Sequence, residues 1–364
     1  MDPKLLRYLD YRLITVIVLI TILSILTISS ATHATAPGGS FHYTKMQIIW
    51  FLLGLVAMAI ILMIDYHTIS MLSNAIYIVN LIFLVIVLFL GRTTMGAQRW
   101  IPIGSFGFQP SEFSKLAIII TLARFLDKKK VENLKDLIQV FIHVGIPMLL
   151  IMKQPDLGTS LVLLAIMFGM LFVSGVSVKL LLGTVAAGIA ALPVFWQFLH
   201  DYQKMRILIF LNPNLDPLGF GYHVIQSKIA IGSGRILGKG LFQGTQNQLD
   251  FIPEQQTDFI FAVLGEELGF IGGMLLLLLF FILIYRTIQI AFRARNALGT
   301  YMAAGVASMW IFQVLVNVGM TMGLMPVTGI PLPFMSYGGS SFLMNMMAVG
   351  LVLNIGMRRQ KILF

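Results

Sequence analysis

Cysteine is absent from this chain and formal charge is scarce: Asp, Glu, Lys and Arg together make up 11% of its 364 residues, where a globular protein carries roughly 25%. Without cysteine there is no disulfide framework, no thiolate metal site and no cysteine nucleophile. The 6 histidines are scattered without metal-ligand spacing. No Walker or dinucleotide glycine motif occurs, so no organic cofactor is expected. Apolar residues take the place of charge. Hydrophobic residues reach 58% and mean hydropathy +0.89, which excludes a soluble enzyme, a nucleic-acid binder and a disordered chain. The expected class is an all-α, polytopic transmembrane protein.

A bilayer core about 30 Å thick needs roughly 20 apolar residues of helix. About ten segments qualify, near 13–31, 47–64, 69–90, 111–126, 137–152, 157–174, 178–198, 259–285, 300–323 and 340–357. They are too long for barrel strands, and helices satisfy their own backbone polar groups in lipid. The fifth and sixth are the least separable, because Pro147 and the turn around Pro155 interrupt them. The whole chain, 1–364, reads as one transmembrane domain, its first apolar run a retained helix rather than a cleaved leader.

Net charge is +10, and its placement is topological. With the N-terminus inside, the inner loops hold Lys4, Arg7, Arg12, Lys128, Lys129, Lys130, Lys135, Lys179, Arg286, Arg293, Arg295, Arg358, Arg359 and Lys361. The short outer loops hold only Lys45, Arg92, Arg99 and Lys153. Fourteen cations against four put both termini in the cytoplasm by the positive-inside rule. One long segment, 199–258, then lies outside the membrane between the seventh and eighth spans. A loop of that length in a compact protein is usually functional or disordered, and Val224, Ile225 and Ile229 amid Gln226 and Lys228 predict a short helix lying on the membrane surface.

Polar groups at membrane depth are costly and therefore informative. Glu112 and Lys115 stand i, i+3 on the fourth span, where they can neutralise each other and line a polar cavity, or simply tie the bundle together. Arg99 and Trp100 place a cation beside an amphipathic ring at the outer interface, where tryptophan often serves only as an anchor. The strongest local signal is Phe251 to Ile260, with Glu254, Thr257 and Asp258 after Pro253. Thr257 or Asp258 has the chemistry of a helix N-cap. A carboxylate at that boundary is equally where a general base for an arriving hydroxyl would sit. Glu266 and Glu267 follow eight and nine residues on, about 12–13 Å deeper along an unbroken helix and on different faces. One of them would pair with Lys115 or an inner-loop cation. Before the last span, three prolines and Ser336-Tyr-Gly-Gly-Ser340-Ser341 prevent a regular helix. Hydroxyls and amides left free there would suit an anion.

That last stretch, taken back to Asn317, resembles the signature of the SEDS family, the RodA, FtsW and SpoVE proteins. Asn317, Gly323, Pro326, Gly329, Pro331 and the serine-glycine run at 336–341 fall in the family's order and spacing. Segments around Gln98, Gln109 to Lys115, Gln154 to Thr159, Gln226 to Gly234 and Pro253 to Glu267 extend the likeness over nearly the full length, with RodA the nearer subgroup. Departures are local: Gln255-Gln256 and Arg235 stand where the family usually has other residues.

The resemblance implies a peptidoglycan glycosyltransferase of the bacterial cytoplasmic membrane. It would polymerise lipid II on the outer face during wall elongation and shape control, with a class B penicillin-binding protein as partner. Asp258 then matches the catalytic aspartate, Trp100 a required tryptophan, and Glu112 with Lys115 the family's central polar pair. The expected mechanism is one inverting displacement: Asp258 takes the proton of the acceptor 4-hydroxyl as polyprenyl pyrophosphate leaves. Arg99, Lys115, Arg206, Ser336, Ser340 and Ser341, or a divalent cation (Mg or Mn), would meet the departing charge. Glu254 and Thr257 would complete the substrate site. A flippase for the lipid-linked precursor, or a scaffold for the transpeptidase, is the rival reading. The scaffold predicts a dispensable Asp258.

Overall fold

The computed structural model describes residues 7–33, 41–94, 97–104, 106–199, 201–217 and 219–358. Lys4, Arg359 and Lys361 of the charge count lie outside them. Among the described residues the ten expected segments are all helical. They are α1 (Tyr11–Ala31), α2 (His42–Met63), a short α3 (Tyr66–Met71) leading into α4 (Ser73–Leu90), α5 (Pro110–Lys128), α6 (Leu134–Lys153), α7 (Leu157–Val173) and α8 (Val178–Phe198). Three α-helices of the 199–258 segment follow among the described residues: α9 (Asp201–Leu211), α10 (Phe220–Ser233) and α11 (Thr245–Gln248). Then come α12 (Ile260–Phe292), α13 (Ala297–Thr321) and α14 (Gly339–Met357). Seven of them, α1, α2, α4, α6, α12, α13 and α14, are long and apolar enough to cross a membrane. α7 and the apolar part of α8 are shorter, and α5 carries Glu112, Lys115 and Arg124 in its interior. α6 continues through Pro147 and ends at Lys153, so the fifth and sixth segments are separate helices.

The bundle is built around α13 and α14, 78% and 83% buried, whereas α2 is only 17% buried and presents its apolar side chains outward. Close packing is set by small residues. A side chain at Gly305 would meet Met170 of α7 and Ile119 of α5, and one at Gly350 would meet Ile61 of α2. Helix starts use local acceptors: Asp10 caps α1 through Leu13 N, Asp156 caps α7 through Thr159 N, and Asn296 caps α13 through Gly299 N. Each cap satisfies an amide that the first turn leaves without a partner.

Two features depart from an all-α bundle of unbroken spans. Three antiparallel strands, β1 (Arg92–Thr94), β2 (Ala97–Ile103) and β3 (Phe106–Phe108), lie between α4 and α5, with Arg92 opposite Trp100 and Ile101 opposite Phe108. Their residues lie in the connection outside the spans, where water can serve the free edges that lipid would not. The second is a break in α12 at Gly269, whose φ of 63° and ψ of −161° are not helical. The 23 residues from Phe270 to Phe292 alone give about 34 Å of helix, enough for the bilayer. Ile260–Leu268 is therefore a half-helix at the N-terminal end of the span, next to the 199–258 segment. Glu266 and Glu267 sit at that boundary rather than deep in the membrane.

The short helix predicted around Val224, Ile225 and Ile229 is α10. It packs against the half-helix: Ala230 is buried with Ile252, Phe259 and Ala262, and Ser227 Oγ donates to Thr321 O at 2.7 Å. The outer segment is thus part of the folded bundle.

Candidate active site

Asp258 lies in the turn that precedes α12, and that helix is capped by Phe259 without any side-chain bond. Neither Thr257 nor Asp258 is the N-cap the sequence suggested. Thr257 Oγ1 instead donates within its own turn to Glu254 O (3.2 Å) and Glu254 Oε2 (3.1 Å). Glu254 has a φ of +50°, so the turn reverses there and returns the chain toward α13.

The turn is held from behind. Asn317 Nδ2, fully buried on α13, donates to Asp258 O at 3.0 Å and to Ile330 O at 2.8 Å. Ser336 Oγ donates to Thr257 O at 2.7 Å and accepts from Leu332 N at 2.8 Å, while Tyr337 N donates to Gln256 O at 2.9 Å. Two non-helical segments at one end of the bundle therefore fix each other. Asn317→Leu would take the side-chain donor from one buried and one part-buried carbonyl, at a cost of about 1–3 kcal/mol for the buried one. We expect a clear drop in the melting temperature of the purified protein in detergent.

The Asp258 carboxylate also approaches the segment that precedes α14. Oδ2 lies 3.3 Å from where a side chain at Gly329 would begin, and Gly329 has a φ of +71°, so both space and conformation call for glycine there. Among the described residues none hydrogen-bonds the Asp258 carboxylate. Half-buried, it is pushed up to a pKa of about 6, first by desolvation and then by the neighbouring Glu254, with Asp156 adding to the rise. Arg206 and Arg99 oppose the shift and are the cations in its field. Arg99 is itself aimed: Nε donates to Gln154 O at 3.2 Å, a second nitrogen donates to Pro155 O, and a third lies 3.9 Å from Asp156 Oδ1. Asp156 is buried and anchored by Thr159 and Ser111.

The remaining predicted residues are distributed differently. Trp100 lies on β2 against Gly107 of β3, where a Cβ would touch its ring at 2.8 Å. Glu112 and Lys115 form the expected pair at 2.8 Å, 3% and 1% exposed, and neither is among the charges acting on Asp258. Ser336 and Ser340 are not the free hydroxyls of an anion nest. Ser336 braces Thr257, and Ser340 Oγ accepts from Gln109 N at 3.1 Å and donates to Gly107 O. Ser341 receives the Asn345 amide through its carbonyl at 2.9 Å. Glu266 is paired with Lys239 of the outer segment at 2.6 Å, not with Lys115 or an inner cation.

Sequence reasoning missed His223 on α10, whose ring stacks on Phe259 at 6.0 Å, beside Asp258. Desolvation and then Arg206 push its pKa down, while Glu254 pulls it up. No spacing could have revealed it, because α10 meets this turn only through the tertiary fold.

The chain matches the family model described as "Cell cycle protein", that of FtsW, RodA and SpoVE, over residues 8–361. It is 42% identical over 328 residues to "Peptidoglycan glycosyltransferase MrdB" of Escherichia coli (strain K12), covering 90% of this chain and 89% of that protein. It is also 42% identical over 352 residues to "Stage V sporulation protein E" of Bacillus subtilis (strain 168), covering 94% and 95%. One solved structure, described as "Structural coordination of polymerization and crosslinking by a peptidoglycan synthase complex", contains a similar chain. Its TM-score is 0.84 at 31% identity, over 97% of this chain and 99% of that one. The crystal structure of Thermus thermophilus rod shape determining protein RodA gives 0.73 at 27% identity, over 97% and 98%.

Proposed function

We propose that this chain, which belongs to the family of FtsW, RodA and SpoVE, is a multi-pass membrane peptidoglycan glycosyltransferase that joins lipid II units into β-1,4 glycan strands for wall elongation and cell shape. The observation that carries the mechanism is the carboxylate of Asp258. It caps no helix, has no hydrogen-bond partner among the described residues, and stands at the outer end of a span in the field of Arg99 and Arg206. A group held near pKa 6 is a carboxylate at neutral pH yet a better proton acceptor than an ordinary aspartate.

In this reading Asp258 takes the proton from the acceptor sugar's 4-hydroxyl as that oxygen attacks the donor's anomeric carbon. The bond to the polyprenyl pyrophosphate breaks with inversion, and no covalent sugar-enzyme intermediate forms. Arg99 and Arg206 meet the departing negative charge, worth most in a site that excludes water. Glu254 and Thr257 share the turn of Asp258, Trp100 follows Arg99 on β2, and Glu112 and Lys115 neutralise each other within α5. Among the described residues no three carboxylates or imidazoles converge on a metal-sized site. Any Mg or Mn would rest on one or two carboxylates and the substrate's own phosphates. The unequal charge of the inner and outer loops supports cytoplasmic termini and an outward-facing site. The partner we propose is a class B penicillin-binding transpeptidase, in keeping with the synthase complex that contains a similar chain.

The test is polymerisation of lipid II supplied entirely on the accessible side, with and without co-purified transpeptidase. Elongated glycan under those conditions rules out a flippase as the sole activity. The pH dependence has a definite sign. Turnover should rise as pH increases through about 6, where Asp258 loses its proton. Glu254→Gln removes a charge that raises the pKa and should move the midpoint down, whereas Arg206→Met should move it up. A rate independent of pH between 5 and 7 would contradict Asp258 as base.

A further inference from the structure

The outer segment enters the break in α12 and completes its hydrogen bonding. On one side of Gly269 the carbonyls of Glu266 and Glu267 accept from Lys239 N and Gly240 N, each at 3.0 Å. On the other, Phe270 N donates to Arg235 O at 2.9 Å and Ile271 N to Ile236 O at 3.1 Å. Four backbone groups that a broken helix would leave without partners are thus served by one stretch, 235–240. Contact is so close that a Cβ at Gly238 (φ +80°) would lie 2.1 Å from Glu267 O.

Side chains repeat the connection. Glu266 Oε1 accepts from Lys239 Nζ at 2.6 Å, Gln246 N at 3.0 Å and Thr245 Oγ1 at 3.3 Å, and Oε2 accepts from Asn247 N at 3.2 Å. Glu267 Oε1 accepts from Asn247 Nδ2 at 3.1 Å and from Ser30 Oγ at 2.5 Å, and Ser30 Oγ in turn accepts from Phe242 N at 3.0 Å. The two glutamates, expected on different faces, share Asn247. Both are at most 1% exposed.

We infer that Lys239, Glu266 and Glu267 are positioning residues: through them the outer segment and the half-helix Ile260–Leu268 move as one body, and the place of Asp258 at the other end of that half-helix depends on the connection. The half-helix is buried along its length, and its C-terminal end, where helical hydrogen bonding stops at Gly269, is fixed by residues 235–240. Asn317 supplies a grip at the Asp258 end. This inference rests on Asp258 as the base only for its kinetic consequence.

The experiment compares Lys239→Met, Lys239→Arg and Thr245→Val, the last removing the hydroxyl bonded to both Lys239 (2.7 Å) and Glu266. Turnover of lipid II is measured beside hydrogen exchange at the amides of Gly240, Phe270 and Ile271. For Lys239→Met we expect exchange at least tenfold faster and kcat at least tenfold lower with KM within twofold. Thr245→Val should show about threefold changes of both, and Lys239→Arg should restore both. Faster exchange with unchanged kcat, unchanged exchange with lost turnover, or a loss confined to KM would each overturn the inference. If Lys239→Met does not fold, Thr245→Val decides by the same criteria. Exchange is repeated in Asp258→Asn, where the acceleration caused by Lys239→Met should be the same. Failure of the base assignment would show in the turnover of Asp258→Asn alone, so the two failures are separable.

Discussion

Asp258→Asn should lower lipid II polymerisation by about 10²–10⁴-fold, the range a positioned general base contributes, while leaving the protein folded. The substitution keeps the side chain's shape and removes its charge. Its effect on stability should run opposite to its effect on rate. A carboxyl pushed up to about 6 in the folded protein costs nothing while it is protonated in both the folded and unfolded states. Between about pH 4 and pH 6 the unfolded chain ionises more readily, and the penalty grows to on the order of 3 kcal/mol above that range, at about 1.4 kcal/mol per unit. At neutral pH the asparagine variant should therefore melt at or above the wild-type temperature. An inactive but more stable variant marks a functional carboxylate, since strained sites trade stability for activity. Asp258→Asn with more than a tenth of wild-type turnover, in a well-folded sample, would remove the aspartate from the mechanism. Full turnover together with intact transpeptidase binding would favour the scaffold reading.

Gly269→Ala should be strongly destabilising. Gly269 has a φ of +63° and a ψ of −161°, a region essentially restricted to glycine and costing about 1–3 kcal/mol for other residues. The added Cβ would also lie 2.3 Å from Gly238 N and 2.7 Å from Ile236 O, both backbone atoms that cannot rotate away. Overpacking of that kind adds about 1–3 kcal/mol. We expect a large fall in melting temperature, with fast exchange at Phe270 and Ile271. Gly145→Ala is the control. That glycine lies inside α6 with nothing within 4 Å of where a Cβ would be added, and alanine in a helix interior is worth about 0.5–1 kcal/mol over glycine. Equal effects from the two substitutions would mean that the junction at Gly269 is not an essential contact.

The helical segments were legible because lipid imposes one rule on every span: about 20 apolar residues with all backbone groups paired internally. The rule counts residues and ignores partners, so it located α1, α2, α4 to α8 and α12 to α14 without knowing how they pack. It failed at Gly269 because the break lies within an apolar run. The groups that make it tolerable, Arg235 to Gly240, are some thirty residues earlier in the chain. It also passed over β1 to β3, since strands as short as Phe106–Phe108 carry too few residues to show a period of two.

Among the site residues, Glu112 and Lys115 could be paired on paper because a helix turn places i and i+3 together. The carboxylate of Asp258 could be singled out by type and position. Its freedom from capping could not, because that depends on where the first helical hydrogen bond falls, and it falls after Phe259. The serines of the last outer loop looked available because sequence shows donors without their acceptors. Thr257 O and Gly107 O, which occupy Ser336 and Ser340, come from distant segments.

Composition and the spacing of apolar residues by themselves determined a helical membrane chain and a short roll of polar residues able to do chemistry, because hydrophobic burial and helix geometry act locally along the chain. Only the tertiary structure decided that Arg99, Arg206 and Asp156 share one electrostatic field with Asp258, that Lys239 rather than Lys115 meets Glu266, and that residues 235–240 close the gap in α12. Those pairings follow from which backbone groups are left without partners when helices stop, and a stop in one segment can be satisfied only by another that folding brings beside it.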